Sequence, residues 1–454
     1  LALCRGVVTL IEPTDDSSIW ANLPAVSIVV LNYNTCEHLE ACFRSLQQLT
    51  YPADKLELIL VDNASTDSSV ATMRANFAGV KLIINDKNYG FSQGNNIGAQ
   101  SARGEFVAFL NPDMRVGQGW LIELVNLLIA DPQVAAAGSK ILSWDGQTID
   151  FGGGAANFYG YGYQVGFGLD NQADFNQVKP TLFACGGAML IRRQLFLEVG
   201  GFDEDFFAYY EDVDLGWRLW VLGYKVLFAP ASLTYHHHHG SWGKLDIEKR
   251  RVLYERNAFF TMLKNYEEAN LSKILPAALL LLLKRIYLAA GIDDDLFRLC
   301  IQPQAPGAAR SSTPPAKNET SVYNASYYLK EAWRTLTNEG LNHLYIKFQA
   351  ERKRRKQARL RAQLPGPMQV DNGLSDRAII PIQALSYIAA SNDIITLYEK
   401  MLQKRAFIQA RRRRSDEETL NLFGRPFGPS ELWPEYRQTQ TYLTHLFGID
   451  KIFE

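Results

Sequence analysis

The sequence predicts an α/β protein: a Rossmann-like, mostly parallel central sheet with flanking helices, followed by a mainly helical C-terminal region. Three observations predict it. Short apolar runs alternate with stretches of helical periodicity between residues 26 and 113. Each run ends in Asn or Asp. Beyond residue 320 the strand pattern gives way to long, charge-rich helical stretches.

The first strand is "VSIVVLNYN", and "CEHLEACFRSLQQL" then carries Leu39, Cys42, Phe43 and Leu46 at helical spacing. "LELILVDNAST" repeats the strand pattern and ends in groups that cap a following helix. "VKLIIND", a helix through "SQGNNIGAQSA" and the strand "EFVAFLNPD" complete the alternation, which requires a largely parallel sheet covered on both faces. In such sheets ligands bind beyond the carboxyl ends of the strands. Those ends carry Asn32 and Asn34, Asp62 and Asn63, Asn88, and Asn111 and Asp113. Turn formation explains any one of them, but a shared ligand site explains four successive ends better.

Downstream, "FGGGAANFYGYGYQVGFGL" (151–169) reads either as a mobile loop beside a cleft or as a surface excursion. Its glycines lack the G-x-G-x-x-G spacing after a strand, so no dinucleotide fingerprint is predicted. "VLFAPASLTY" is a strand leading to "HHHH" (236–239), and a helix is expected through "EKRRVLYERNAFFTMLKNY" to about residue 290. The domain scheme is an N-terminal extension (1–24), the α/β domain (25–265), an apolar helical segment (266–300), a linker (301–320) and a helical basic region (321–454).

The net charge of −1 and the 47% hydrophobic content give no global bias toward nucleic acid. Five cysteines without a C-x-x-C pair suit a reducing cytosol and argue against a disulfide framework or a zinc site. The apolar run "ILPAALLLLL" is too short to span a bilayer. Local charge is another matter. Eight Lys or Arg against one Glu from Lys347 to Arg361, and the run "ARRRR", fit an anionic membrane surface, a nucleic acid or simply a solvated helix face.

"FAYYEDVDLGWRLW" places Glu211, Asp212 and Asp214 among aromatics. Either a carboxylate is raised in pKa there to act as a general base, or an amphipathic helix starts with acids at its first turn and buries Trp217, Leu219 and Leu222. Asp113 at a strand end suits a hard cation, and an imidazole from the His run would favour Mn²⁺ over pure Mg²⁺. Cys185 reads as a small packed side chain rather than a nucleophile.

Taken in order, "SIVVLNYN", "LVDNASTD", "NYGFSQGNNIG", "EFVAFLNPD", "CGGAMLIRRQLFLEVGGFDEDFF" and "YYEDVDLGWRL" resemble the motifs of family 2 glycosyltransferases, in particular the rhamnosyltransferase-like branch. The resemblance covers about residues 25–265. It implies a GT-A fold, an inverting mechanism, a nucleotide-sugar donor and a divalent metal (Mn or Mg) on the diphosphate. On it, Asp212 matches the catalytic base, with Glu211 in the same pair. Asp62, with Asn32, Asn34, Asn88 and Asn96 near it in motif order, belongs to the nucleotide-sugar site, and Asn111, Gly186 and Gly187 line the same cleft. Asp113 matches the metal aspartate of a motif that here reads Asn-Pro-Asp, and His236 or His238 is the matching histidine. The branch suggests dTDP-rhamnose first and a UDP-hexose second, with a hydroxyl of a glycan or lipid-linked acceptor for cell-surface polysaccharide. The expected location is the cytoplasm, with peripheral attachment to the inner face of the plasma membrane as a variant. A processive synthase would carry a Q-x-x-R-W segment, which this sequence lacks. The competing reading is a lipid- or nucleic-acid-binding protein on such a scaffold without catalysis, nucleic acid being the less favoured partner.

Overall fold

The computed structural model describes residues 22–171, 174–237, 246–292 and 380–454. Residues up to Ala289 together with Ile380–Glu454 form one compact unit, which contains the whole sheet. In chain order its main elements begin with β1 (Val26–Asn32), α1 (Cys36–Leu46), β2 (Leu56–Asp62), α2 (Ser69–Asn76), β3 (Lys81–Ile84), α3 (Gly90–Ser101), β4 (Phe106–Leu110), β5 (Met114–Val116) and α4 (Trp120–Ala130). Next come β6 (Val134–Ser143), β7 (Ile149–Phe151), β8 (Gly154–Ala156), β9 (Gly162–Gln164), β10 (Lys179–Pro180), β11 (Ala188–Arg192), α5 (Arg193–Glu198), α6 (Glu211–Val221) and β12 (Lys225–His236). The chain closes with α7 (Ile247–Asn265), α8 (Glu268–Ala290), α9 (Ile382–Gln409) and α10 (Pro434–Leu446).

The main sheet runs β10-β12-β6-β11-β4-β1-β2-β3. Its β3-β2-β1-β4 half is parallel, as the alternation predicted, and Asn32 and Asp62 are register partners at its carboxyl edge. Beyond β4 the sheet turns mixed, because β11 lies antiparallel between β4 and β6. This is a GT-A architecture, an α/β sheet with flanking helices and a helical C-terminal region. The small residues of α3 have a packing cause: a Cβ on Gly98 would sit 2.4 Å from Val29 Cγ1, and one on Gly94 2.5 Å from Leu31 Cδ1. Only glycine lets this helix lie so close to β1. Pro230 is accommodated inside β12 by a register shift between Ala229 and Leu233.

Residues 151–169 are not a mobile excursion. They build β8 and β9, and the stretch 151–160 is buried throughout. The C-terminal segment covers them: Phe158 N donates to Pro426 O at 2.8 Å and Asn157 Nδ2 to Gly428 O at 2.9 Å. The single helix expected to residue 290 is broken at Tyr266 and Glu267 into α7 and α8.

Helix α9 packs along α7, and much of the joining is ionic. Lys264 of α7 lies 2.5 Å from Asp203 and 2.9 Å from Asp214, all three buried. Lys404 of α9 closes on Asp203 and Asp205, and Arg405 donates to Leu263 O and Tyr266 O. Two arginines of the run "ARRRR" are consumed in the same way. Arg412 donates to Asn265 O and Asp416, while Arg414 donates to Tyr224 O and Gly223 O. These two guanidiniums satisfy main-chain carbonyls, while Arg411 and Arg413 stay exposed, so only half of the run is left to act as a cationic surface. The linker (301–320) and "ERKRRKQARLR" lie outside the described residues. Among the described residues no helix is long and apolar enough to cross a membrane.

Candidate active site

The carboxyl edge of β1 and β2 forms one polar corner. Asn32 Nδ2 donates to Asp62 Oδ1 at 2.6 Å, and Ser65 N donates to Asp62 Oδ2 at 2.9 Å. Asn34, held at a φ of 55°, accepts Thr66 N at 2.7 Å. Asn88 accepts Gly90 N at 2.8 Å and is tied to Asn63, whose amide also reaches Gly90 O. Asn32, Asn34, Asp62 and Asn88 therefore shape the loops of this corner together. Asn96 does something else: its Nδ2 donates to Phe202 O at 2.8 Å and its Oδ1 accepts Phe202 N at 3.0 Å. Both amide atoms are spent on holding the chain before α6, so the structure places Asn96 as a tie rather than beside a nucleotide.

A second group gathers at the ends of β4 and β11. Asn111 N donates to Gly187 O at 2.8 Å, and a Cβ on Gly187 would lie 2.8 Å from Asn111 Nδ2. Gly186 N donates to Asp212 Oδ2 at 2.9 Å, and Val213 N to Asp212 Oδ1 at 2.8 Å. Asp212 thus sits in the first turn of α6 with both oxygens fixed by main-chain N–H groups. Burial raises its pKa even so, because the three backbone hydrogen bonds that oppose the shift are outweighed. Glu211 is buried where Asp212 is half-buried, and its Oε2 has no hydrogen-bond partner. Burial, followed by the charge of Asp212, pushes its pKa well above the usual carboxylate range. Both carboxyls are thus harder to ionise than free ones, Glu211 the more so, and the N–H donors favour the charge on Asp212. Asp214 faces the other way, into Arg218 at 2.9 Å, Lys264 and Asn265, and is structural. Burial raises the Cys185 thiol, as suits a packed side chain.

The third group is Asp113 and His236. Asp113 is buried beyond β4, and His236 Nε2 at the end of β12 lies 3.5 Å from its Oδ2. On the other side, His236 Nδ1 lies 3.3 Å from Asp150 Oδ2. Asp150, in the short strand β7, was not legible in the sequence: its partner lies far along the chain, and only the β6–β7 and β6–β12 ladders bring them together. Burial alone would lower the His236 pKa, but the two carboxylates hold it up at about 9. Burial would raise Asp113, but His236, with His38 behind it, keeps it below its ordinary value. Among the described residues no group of three or more His, Cys, Asp or Glu could hold a metal by itself. The donor set is one ionised carboxylate and one imidazole whose proton a cation would replace, which fits a divalent metal completed by phosphate oxygens and water. His238 lies outside the described residues.

Residues 27–200 match the model of glycosyl transferase family 2, and residues 171–275 match that of a glycosyltransferase-like family 2. Residues 27–275 belong to glycosyl transferase family 2. Within the family the chain is 26% identical over 239 residues to an N-acetylglucosaminyl-diphospho-decaprenol L-rhamnosyltransferase of Mycobacterium tuberculosis, covering 48% of this chain and 77% of that protein. It is 31% identical over 228 residues to the O-antigen biosynthesis protein RfbC of Myxococcus xanthus, covering 48% of this chain and only 18% of that protein. Among solved structures, a complex of GalNAc-T7 with UDP, GalNAc and Mn²⁺ is similar at a TM-score of 0.46 and 20% identity, over 57% of this chain and 51% of that one. By family this chain is a glycosyltransferase. Its three residue groups lie on the matched segments, with His236 at the end of the strand after α6.

Proposed function

We propose that this glycosyltransferase inverts the donor's anomeric centre, moving rhamnose, or in second place a hexose, from a dTDP- or UDP-linked donor. The acceptor is a hydroxyl of a glycan or lipid-linked saccharide destined for the cell surface. The observation that carries the reading is Asp212: a half-buried carboxylate at a helix start, held by Gly186 N and Val213 N beside the turn that packs on Asn111. Asp212 takes the proton of the acceptor hydroxyl as its oxygen bonds to C1. The bond from C1 to the diphosphate oxygen breaks, and the nucleoside diphosphate leaves with the electron pair. Asp62 and Asn32 hold the nucleoside end, while Asn34, Asn88 and Asn111 shape the loops around the donor. Gly186 and Gly187 let the donor sugar approach the main chain. Asp113 and His236 would hold a divalent cation, which would supply neutralisation of the charge that builds on the leaving diphosphate. A panel of dTDP-, UDP- and GDP-sugars scored for hydrolysis and thermal stabilisation tests the donor assignment. No response to any of them overturns it.

In Asp113→Ala, UDP or dTDP affinity measured by calorimetry is expected to fall in the presence of Mn²⁺ and to match the wild type in chelator, because only the metal-dependent part of binding is removed. Equal losses in both conditions contradict the metal role. Glu211→Gln replaces a neutral acid with a neutral amide, so kcat is expected to stay within about tenfold of wild type, against the 10² to 10⁴ carried by a base. The acid limb of kcat/KM is expected to stay in place, since Asp212 titrates beside an uncharged neighbour in both proteins. That limb lies above the ordinary aspartate range: the base is lost as pH falls through a raised pKa.

A further inference from the structure

The residues leading into Asp212 are held in a conformation that they would not adopt alone. Phe207, Tyr209 and Tyr210 have φ of 64°, 70° and 67°. Such left-handed placement costs bulky residues roughly 1–2 kcal/mol each and persists only where the surroundings impose it. The surroundings grip the carbonyls of this turn. Phe207 O accepts Phe91 N at 2.6 Å and Ser92 N at 3.1 Å, at the start of α3. The others turn to α7. Asn257 Nδ2 lies 3.0 Å from Phe206 O, 3.0 Å from Ala208 O and 2.8 Å from Tyr209 O. Arg256 Nη2 donates to Asp205 O at 2.9 Å, and its Nη1 is fixed at 2.9 Å by Asp393 of α9. Asn257 is fully buried.

We propose that Asn257, with Arg256 beside it, is a positioning residue for the transfer reaction: it holds the left-handed turn 207–210 so that Asp212 faces the acceptor hydroxyl. The inference rests on the reading of Asp212 as the base. The turn sets the direction in which α6 starts. If Tyr210 relaxed to negative φ, the first turn of α6 would rotate and Asp212 would leave Gly186 N. The Asn32–Asp62 pair of the corner is built by β1 and β2; the turn touches only the Asn88 side, through Phe207 O and the start of α3, so its loss bears on Asp212 more than on donor binding. Asn257 is 0% exposed and bonds the main chain of the turn, so it acts on the reaction through the residues it positions, Asp212 first among them. The titratable groups facing Asp212 are Glu211 and Tyr210 beside it and Cys185 across the cleft.

The test is steady-state kinetics of Asn257→Ala in the full chain, with the donor that the sugar panel selects. A loss of kcat of about 10²-fold is expected, the size of effect produced by a misplaced catalytic group. The donor KM and UDP affinity are expected to stay within about twofold, the split that marks an effect on the reacting state alone. The acid limb of kcat/KM is expected to move to higher pH, because Asp212 loses main-chain donors that stabilise its charged form. Wild-type kcat, or parallel losses in kcat and donor affinity, overturn the proposal. Should Asn257→Ala not fold, Arg256→Met decides: the same split is expected, about tenfold in kcat, and an unchanged kcat rejects positioning by this helix. Appreciable turnover in Asp212→Asn removes the base reading itself, whereas an inactive Asp212→Asn beside a fully active Asn257→Ala removes only the positioning role of Asn257.

Discussion

Replacing Asp212 by Asn is expected to lower kcat by about 10² to 10⁴ while leaving nucleotide affinity close to wild type. In the proposed mechanism the carboxylate accepts the proton released as the new glycosidic bond forms, and an amide cannot take it. Geometry favours Asp212 for this role over its neighbours. Its two oxygens are aligned by Gly186 N and Val213 N, Glu211 has no such donors, and Asp214 is paired with Arg218 and Lys264. The polar corner around Asp62, the proposed nucleoside site, is built by β1 and β2 and does not include α6. Initial rates, together with UDP and dTDP binding by calorimetry, check both halves of the expectation. Turnover above about a tenth of wild type is too much for an enzyme that has lost its base.

Lys264→Met is expected to destabilise the protein by about 3 kcal/mol, the lower end of the cost of leaving buried carboxylates without their partner. Methionine keeps the apolar stem, so the loss is electrostatic, and it includes the Lys264 ammonium that lies 4.5 Å from the centre of the Phe206 ring. Asp203 keeps Lys404, and Asp214 keeps Arg218 and Asn265, which is why the higher end of the range does not apply. The pH dependence carries a definite sign. Burial would raise the Asp203 pKa, but Lys264 and Lys404 hold it well below the ordinary aspartate value. Its contribution to stability is thus complete above the unfolded-state pKa and fades only as pH falls through the depressed folded one. In Lys264→Met that folded value climbs, so acid unfolding sets in at higher pH than in the wild type. Denaturant midpoints at neutral pH and a series down to about pH 3 measure both effects. A change under about 1 kcal/mol at neutral pH removes the argument, since that is the size expected of an exposed pair.

These two residues mark different depths of legibility. Asp212 stands in a sequence of aromatics and acids that already posed the choice between a base and a helix start, and the structure shows a carboxylate suited to both: the helix start supplies the N–H groups that orient it. Lys264 offered no comparable signal. It lies in a helix of mixed charge, and its partners Asp214 and Asp203 stand far earlier in the chain. The same holds for Asp150 and Asn257, whose contacts exist only where distant segments meet. Asn96 shows the reverse error. Its place in motif order suggested a ligand contact, but folding brings Phe202 to it and uses up both ends of its amide.

By itself the sequence determined the parallel β1–β4 half, the polar residues at its carboxyl edge and the family. Each of these is a local matter of apolar periodicity, strand-terminating Asn and Asp, and ordered motifs. Tertiary structure alone decided the antiparallel insertion of β11, the burial of residues 151–160 beneath the C-terminal segment, and the engagement of Arg412 and Arg414 with main-chain carbonyls. The physical reason is the same in each case. Burial leaves backbone and charged groups that must find partners, and which partner is near depends on how the whole chain packs, not on its neighbours in sequence.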